Sequence, residues 1–144
     1  MGKIITIKNN KGGVGKSWIT LQLGHAFTLL EKKDGTPYKV LLLTSDSQNN
    51  ILTFSGSDNI KFEKTLEDFV KTGELNEIRI RENLFYVPLK NSNFSKRFRE
   101  KLKIAVEKLK DEYDLILIDS VPVLNIDQDF IELADKIVIP TYFR

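Results

Sequence analysis

Ile4-Ile5-Thr6-Ile7-Lys8-Asn9-Asn10-Lys11-Gly12-Gly13-Val14-Gly15-Lys16-Ser17 is the stretch that decides the fold. Its first part is a short apolar run rich in β-branched residues, the composition of a strand. Its second part sets Gly12, Gly13 and Gly15 between two lysines. After Ser17, Ile19, Leu23, Ala26, Phe27 and Leu30 recur at helical spacing. A strand that runs into a glycine-rich turn and then a helix is the context of a phosphate-binding loop. Glycines let successive backbone N–H groups turn toward one anion without Cβ clashes. The helix N-terminus adds partial positive charge at the same point. Lys16 is then placed to bridge β- and γ-phosphates, and the Ser17 hydroxyl to ligate Mg²⁺ through a hard oxygen donor.

Working outward, three more apolar runs have strand length: Val40-Leu41-Leu42-Leu43, Leu115-Ile116-Leu117-Ile118 and Ile137-Val138-Ile139. They are nearly continuous rather than alternating, as strands covered on both faces are. Leu84-Phe85-Tyr86-Val87 is a fifth candidate, stopped by Pro88. Helical patterns lie between. Leu66, Phe69 and Val70 mark a short helix with Thr65 as N-cap and Gly73 at its end. Phe98, Leu102, Ala105 and Leu109 form a second apolar stripe behind a Ser95 N-cap. Asp127 to Ala134 is a further helix. The alternation predicts an α/β fold: a P-loop NTPase with a doubly wound, mostly parallel sheet and helices on both faces. The polar stretch from Ser45 to Glu63 is expected to be a mobile loop.

A length of 144 residues fits one domain with one core, so residues 1–144 are expected to form a single nucleotide-binding domain. Formal charge is +2, which implies no large field of one sign. The absence of cysteine excludes disulfides, thiolate metal sites and cysteine nucleophiles. No apolar stretch reaches membrane-spanning length, and a cytoplasmic, reducing compartment is the expectation. Met1-Gly2 fits a myristoylation pattern weakly; Ile4, Ile5 and Ile7 fit a buried strand better.

One departure from an ordinary phosphate loop is specific. Asn10 stands where such a loop has its first glycine, and the extra Lys11 precedes the glycine pair. Lys11-Gly12-Gly13-Val14-Gly15-Lys16-Ser17 resembles the deviant Walker A motif of the ParA/MinD superfamily of P-loop ATPases. Tyr113-Asp114-Leu115-Ile116-Leu117-Ile118-Asp119-Ser120-Val121-Pro122 resembles its Walker B segment, whose usual ending is Asp-Thr-Pro-Pro. Leu42-Leu43-Thr44-Ser45-Asp46-Ser47-Gln48-Asn49-Asn50 resembles its first switch segment, usually Asp-x-Asp-Pro-Gln. Asp46 and Gln48 match; Thr44 replaces the first acid and Ser47 the proline. Trp18 and Ile19 stand where the family often has threonines.

The resemblance implies site roles. Lys11, Gly12, Gly13, Val14, Gly15, Lys16, Ser17 and Trp18 would line the nucleotide. Lys11 would reach the nucleotide of the other subunit in an ATP-sandwiched dimer. Lys11 and Lys16 would stabilise transferring phosphate, and Asp46 would orient the attacking water. Ser17, Asp46 and Asp119 would serve Mg²⁺, with Asp119 acting through a water. Trp18 is expected to pack on the sheet, with a place at a dimer surface as the alternative. His25, the only histidine, has no partner in local sequence and is set aside. The basic residues between Ser95 and Glu112 are expected to form a solvated face with intrahelical ion pairs rather than a DNA surface.

By resemblance, the chain is expected to be a ParA-like Mg·ATP switch for plasmid or chromosome partitioning. Its expected cofactors are ATP and Mg²⁺. ATP would stabilise a homodimer, and slow hydrolysis would release it. A ParB-like activator and DNA bound without sequence preference are the implied partners. A MinD-like membrane-cycling ATPase is one alternative; a non-hydrolysing nucleotide-binding or assembly module, favoured by Thr44, is the other. A bacterial tyrosine kinase shares the loop but carries a C-terminal tyrosine cluster, where this chain has Tyr142 alone. Family members continue beyond the strand ending at Pro140, so the chain is expected to be the N-terminal part of a longer family domain.

Overall fold

A computed structural model describes residues 2–8, 14–57, 61–121 and 125–140, with the backbone alone at 14–16. The strands are β1 (Lys3–Lys8), β2 (Val40–Thr44), β3 (Ile78–Arg81), β4 (Leu84–Tyr86), β5 (Leu115–Ser120) and β6 (Lys136–Val138). The helices are α1 (Val14–Thr28), α2 (Asn50–Phe54), α3 (Leu66–Thr72), α4 (Lys96–Lys108), which runs into a 3₁₀ turn (Leu109–Asp111), and α5 (Asp127–Leu133). The six strands form one sheet in the order β3-β4-β2-β5-β1-β6. The β3–β4 hairpin is antiparallel and every other pair is parallel.

Continuous apolar runs produce this sheet because successive side chains enter opposite layers. Val40, Leu42, Leu115 and Leu117 pack with Leu21 of α1 and Ile51 and Leu52 of α2. Leu41, Leu43, Ile116 and Ile118 pack on the other face with Leu66 and Phe69 of α3, Leu102 and Val106 of α4, and Phe130 of α5. The expected α/β layering with helices on both faces is therefore present. Registry aligns the carboxyl ends of three strands: Lys8 lies opposite Ser120, and Thr44 opposite Asp119.

Several expectations are corrected. Helix α1 turns Ser17, Thr20, Leu21 and Gly24 inward, while Ala26 and Leu30 are exposed. A Cβ on Gly24 would stand 2.8 Å from Leu42 Cδ2. The helix lies so close to the sheet that small residues face it and larger ones flank it. The Ser45–Glu63 stretch is no simple loop, since α2 buries Ile51 and Leu52. Strand β6 is not covered on both faces; Lys136 and Ile137 are exposed. Gly2 is buried with its N–H on Lys110 O at 2.9 Å, so it belongs to the packing of β1. Caps fall as expected. Ser95 Oγ accepts from Phe98 N, the Thr65 N–H donates to Asp68 Oδ2, and Gly73 ends α3 at φ +79°.

The basic residues of α4 pair mostly across helices. Arg99 Nε lies 2.6 Å from Asp129 Oδ2, and Lys103 Nζ 3.0 Å from Glu132 Oε2, both on α5. Lys110–Glu107 is the local pair.

Asp135 ties the edge of the sheet together. Its Oδ2 accepts from Ile4 N at 2.8 Å, and Lys110 Nζ stands 3.1 Å away. The Ile4 amide above all holds this carboxyl below its usual range, with Lys110 assisting and burial opposing. The folded chain therefore binds this proton more weakly than the unfolded chain. Asp135 stabilises the fold above the unfolded carboxylate value of about 3.9, and that contribution is lost as pH falls through the lower folded value. Asp135→Asn is expected to cost about 1 kcal/mol at neutral pH, a charged hydrogen bond discounted for the exposure of the side chain. Thermal melts from pH 7 down to pH 2 check this: the gap to wild type should close at the acid end.

Candidate functional site

The carboxyl edge of β1, β5 and β2 carries the site, as expected for ligands of open α/β sheets. Asn9 to Gly13 follow β1 and lie outside the described residues, and with them the candidates Lys11, Gly12 and Gly13. Val14, Gly15 and Lys16 form the backbone start of α1. Ser17 is thus in the first turn of a helix that leaves the loop, where unpaired N–H groups and the helix dipole favour an anion.

Ser17 and Asp119 meet, although 102 positions separate them. The Ser17 Oγ donates to Asp119 Oδ2 at 2.5 Å, and both residues are buried, Asp119 to 1% exposure. Strand β5 places Asp119 one residue before its end, and α1 places Ser17 over it. A hydroxyl and a carboxylate at this point are hard oxygen donors of the type Mg²⁺ takes. Among the described residues there is no cluster of three or more His, Cys, Asp or Glu.

Asp46 lies on the turn after β2, next in sequence to Ser45, whose N–H donates to the Asp119 carbonyl. The Asp46 N–H donates to Thr44 Oγ1 at 3.0 Å, and its Oδ1 accepts from Gln48 N at 3.0 Å. The turn is tied to β5 through Ser45: the Ser45 N–H donates to Asp119 O, and Val121 N donates to Ser45 Oγ at 2.7 Å. Ser120 Oγ donates to Asp127 Oδ1, which ties the end of β5 to the start of α5. Tyr86 is buried at the tip of β4; burial first, then the charges of Asp119 and Asp46, push its hydroxyl well above the usual phenol range. Trp18 corrects an expectation: it is 50% exposed rather than packed on the sheet, because the residue after Ser17 points away from it. His25 is also exposed.

The AAA domain family model matches residues 2–144. The sporulation initiation inhibitor protein Soj of Bacillus subtilis is 30% identical over 97% of this chain and 58% of its own. The chain belongs to the ParA/MinD superfamily of P-loop ATPases. Among solved structures of this superfamily, a plasmid partition protein of Borrelia burgdorferi superposes with a TM-score of 0.75 at 27% identity. That match covers 97% of this chain and 65% of the other. The MinC:MinD cell division complex of Aquifex aeolicus gives 0.74 at 26% identity, over 96% of this chain and 55% of the other. The ParA/MinD chain thus spans little more than half the length of such relatives. Among its described residues, no helix is long and apolar enough to cross a membrane.

The structure brings Ser17 and Asp119 together and places Asp46 on the turn after β2, while Ser45, Asn49 and Tyr86 are residues to which motif reading gave no role. These three lock the turn through partners far away in sequence, and no local pattern marks them.

Proposed function

We propose that this chain is a cytoplasmic, ParA-like Mg·ATP-dependent switch in which ATP favours a homodimer and slow hydrolysis releases it. The observation that carries the proposal is the Ser17–Asp119 contact at the sheet's carboxyl edge, directly after a deviant Walker A sequence. The loop from Lys11 to Ser17 would bind the triphosphate through backbone N–H groups. The Lys16 ammonium would sit on the β- and γ-phosphates. Ser17 and Asp119 would hold Mg²⁺, which neutralises charge on the phosphates when bound. Asp46 would orient a water in line with the γ-phosphorus. The water oxygen bonds to phosphorus, the bond to the bridging oxygen breaks, and the products are ADP and inorganic phosphate. Lys11 would cross to the partner's nucleotide and offset repulsion between two facing triphosphates. Partitioning of DNA is the role that the plasmid partition relative of Borrelia burgdorferi favours, and a ParB-like activator is the partner that the family resemblance implies.

A second reading rests on Thr44. It lies in register with Asp119 where the family usually has an acid, and its hydroxyl is occupied by Asp46 N. A module that binds ATP without hydrolysing it would fit that loss of charge.

Titration calorimetry with ATP and Mg²⁺ and light scattering test the proposal together. Wild type is expected to bind ATP and to double its mass with a non-hydrolysable analogue. Lys11→Ala is expected to keep binding within a few-fold and to remain monomeric. No affinity for ATP would end the proposal, and a Lys11→Ala variant that still dimerises would end the sandwich.

A further inference from the structure

We infer that Asn49 is a positioning residue for Asp46, holding the turn that carries this carboxylate in its working shape before any nucleotide arrives; the inference rests on the activity proposed above. Asn49 is the last residue before α2 and adopts a left-handed backbone, φ 53° and ψ 45°. That conformation is costly for most side chains, and asparagine is among the few that adopt it. Glycine would satisfy the backbone at lower cost, so the amide needs a separate reason.

The reason is its hydrogen bonding. Asn49 is 8% exposed. Its Nδ2 donates to Ser47 O at 2.9 Å and to Leu89 O at 2.8 Å. Its Oδ1 accepts from Tyr86 OH at 2.6 Å and from Leu89 N at 2.9 Å. Two donors and two acceptor sites are all that a side-chain amide has, and all four are used. Its own N–H donates to Asp46 O at 3.2 Å.

The turn is therefore held at both ends by buried groups. Ser45 fixes its start to the tip of β5, and Asn49 fixes its finish to the tip of β4. Asp46 lies between, with its Oδ1 already directed by Gln48 N. Without the Asn49 amide, the finish of the turn would be held by main-chain bonds alone, and the carboxylate would sample positions that do not aim a water. Misplacement by about 1 Å can cost about a hundredfold in rate. Asn49 touches no reacting atom in this scheme and acts through Asp46.

The test compares steady-state ATP turnover and ATP affinity in wild type, Asn49→Gly, Asp46→Ala and the double variant. Asn49→Gly permits the left-handed backbone without a steric cost and removes the side-chain amide. The expected result is a fall in kcat of about tenfold or more, with ATP affinity within about twofold of wild type. In the Asp46→Ala background, Asn49→Gly should change kcat no further, because coupled residues are not additive. An equal fall in both backgrounds, or weakened ATP binding to match, would mean a structural role and overturn the inference. Kcat unchanged by Asn49→Gly overturns it too. If Asn49→Gly does not fold, Tyr86→Phe removes one bond to Oδ1 and is put through the same cycle, with the same criteria and a smaller expected fall. Wild type without turnover defeats the proposed activity itself, and the inference with it, before any variant is compared.

Discussion

Replacing Lys16 with alanine is expected to lower ATP turnover by at least about a hundredfold, the scale for removing one preorganised stabiliser of transition-state charge. The γ-phosphoryl group in flight spreads negative charge over its equatorial oxygens, and a catalyst does little covalent work on it. What remains is placement and charge. Lys16 stands in the first turn of α1, and a lysine there would offer the phosphates a compact ammonium on a flexible stem. Lys11 is expected to serve the partner's nucleotide, and Lys8 lies in β1. The fold should survive the change. Alanine is the better helix former, and Lys16 lies two residues inside a helix of 15. Circular dichroism and thermal melting should therefore match wild type while single-turnover hydrolysis collapses. Turnover retained in a folded Lys16→Ala protein would mean that another enzyme in the preparation hydrolyses the ATP, or that the site is elsewhere.

The same experiment separates the two readings of Thr44. A switch that hydrolyses ATP has a rate to lose. A binding module loses only affinity, and its wild type shows no turnover with or without DNA. Thr44 caps the turn through Asp46 N, so it has a structural duty that an acid at this position would perform differently.

Much of this arrangement was legible in the sequence, for local reasons. A buried parallel strand has to be apolar on both faces, so β1, β2 and β5 stand out as unbroken runs. A phosphate loop is contiguous, and its chemistry is written in adjacent residues. Strand β3 was not legible: Ile78-Arg79-Ile80-Arg81 is short and alternates with arginine, because it pairs on one side only at the end of the sheet. Helix α2 is five residues long and follows a left-handed asparagine, too short to establish a period. Ser45 and Asn49 hold partners 76 and 40 positions away. Their role depends on how β4 and β5 end beside β2, which is a property of the sheet order. The segment from Lys11 to Gly13 carries the strongest motif, and its assignment rests on sequence and family.

Asp119→Asn should separate function from stability. The carboxylate is almost wholly buried at the end of β5, where its partners include the Ser17 hydroxyl. Asparagine keeps the volume and can still accept from the Ser17 hydroxyl, but it gives up the charge. If Asp119 is kept for Mg²⁺, its loss should leave the melting temperature unchanged or raise it, as happens where a site is strained for function. Turnover should fall by about a hundredfold or more, and Mg²⁺ should no longer tighten nucleotide binding in calorimetry. If Asp119 is only a strand-ending cap, the signs reverse: Asp119→Asn should melt earlier, and its Mg²⁺ dependence should match wild type. A structural explanation of the Ser17–Asp119 contact and a metal-binding one thus predict different outcomes in the same pair of measurements.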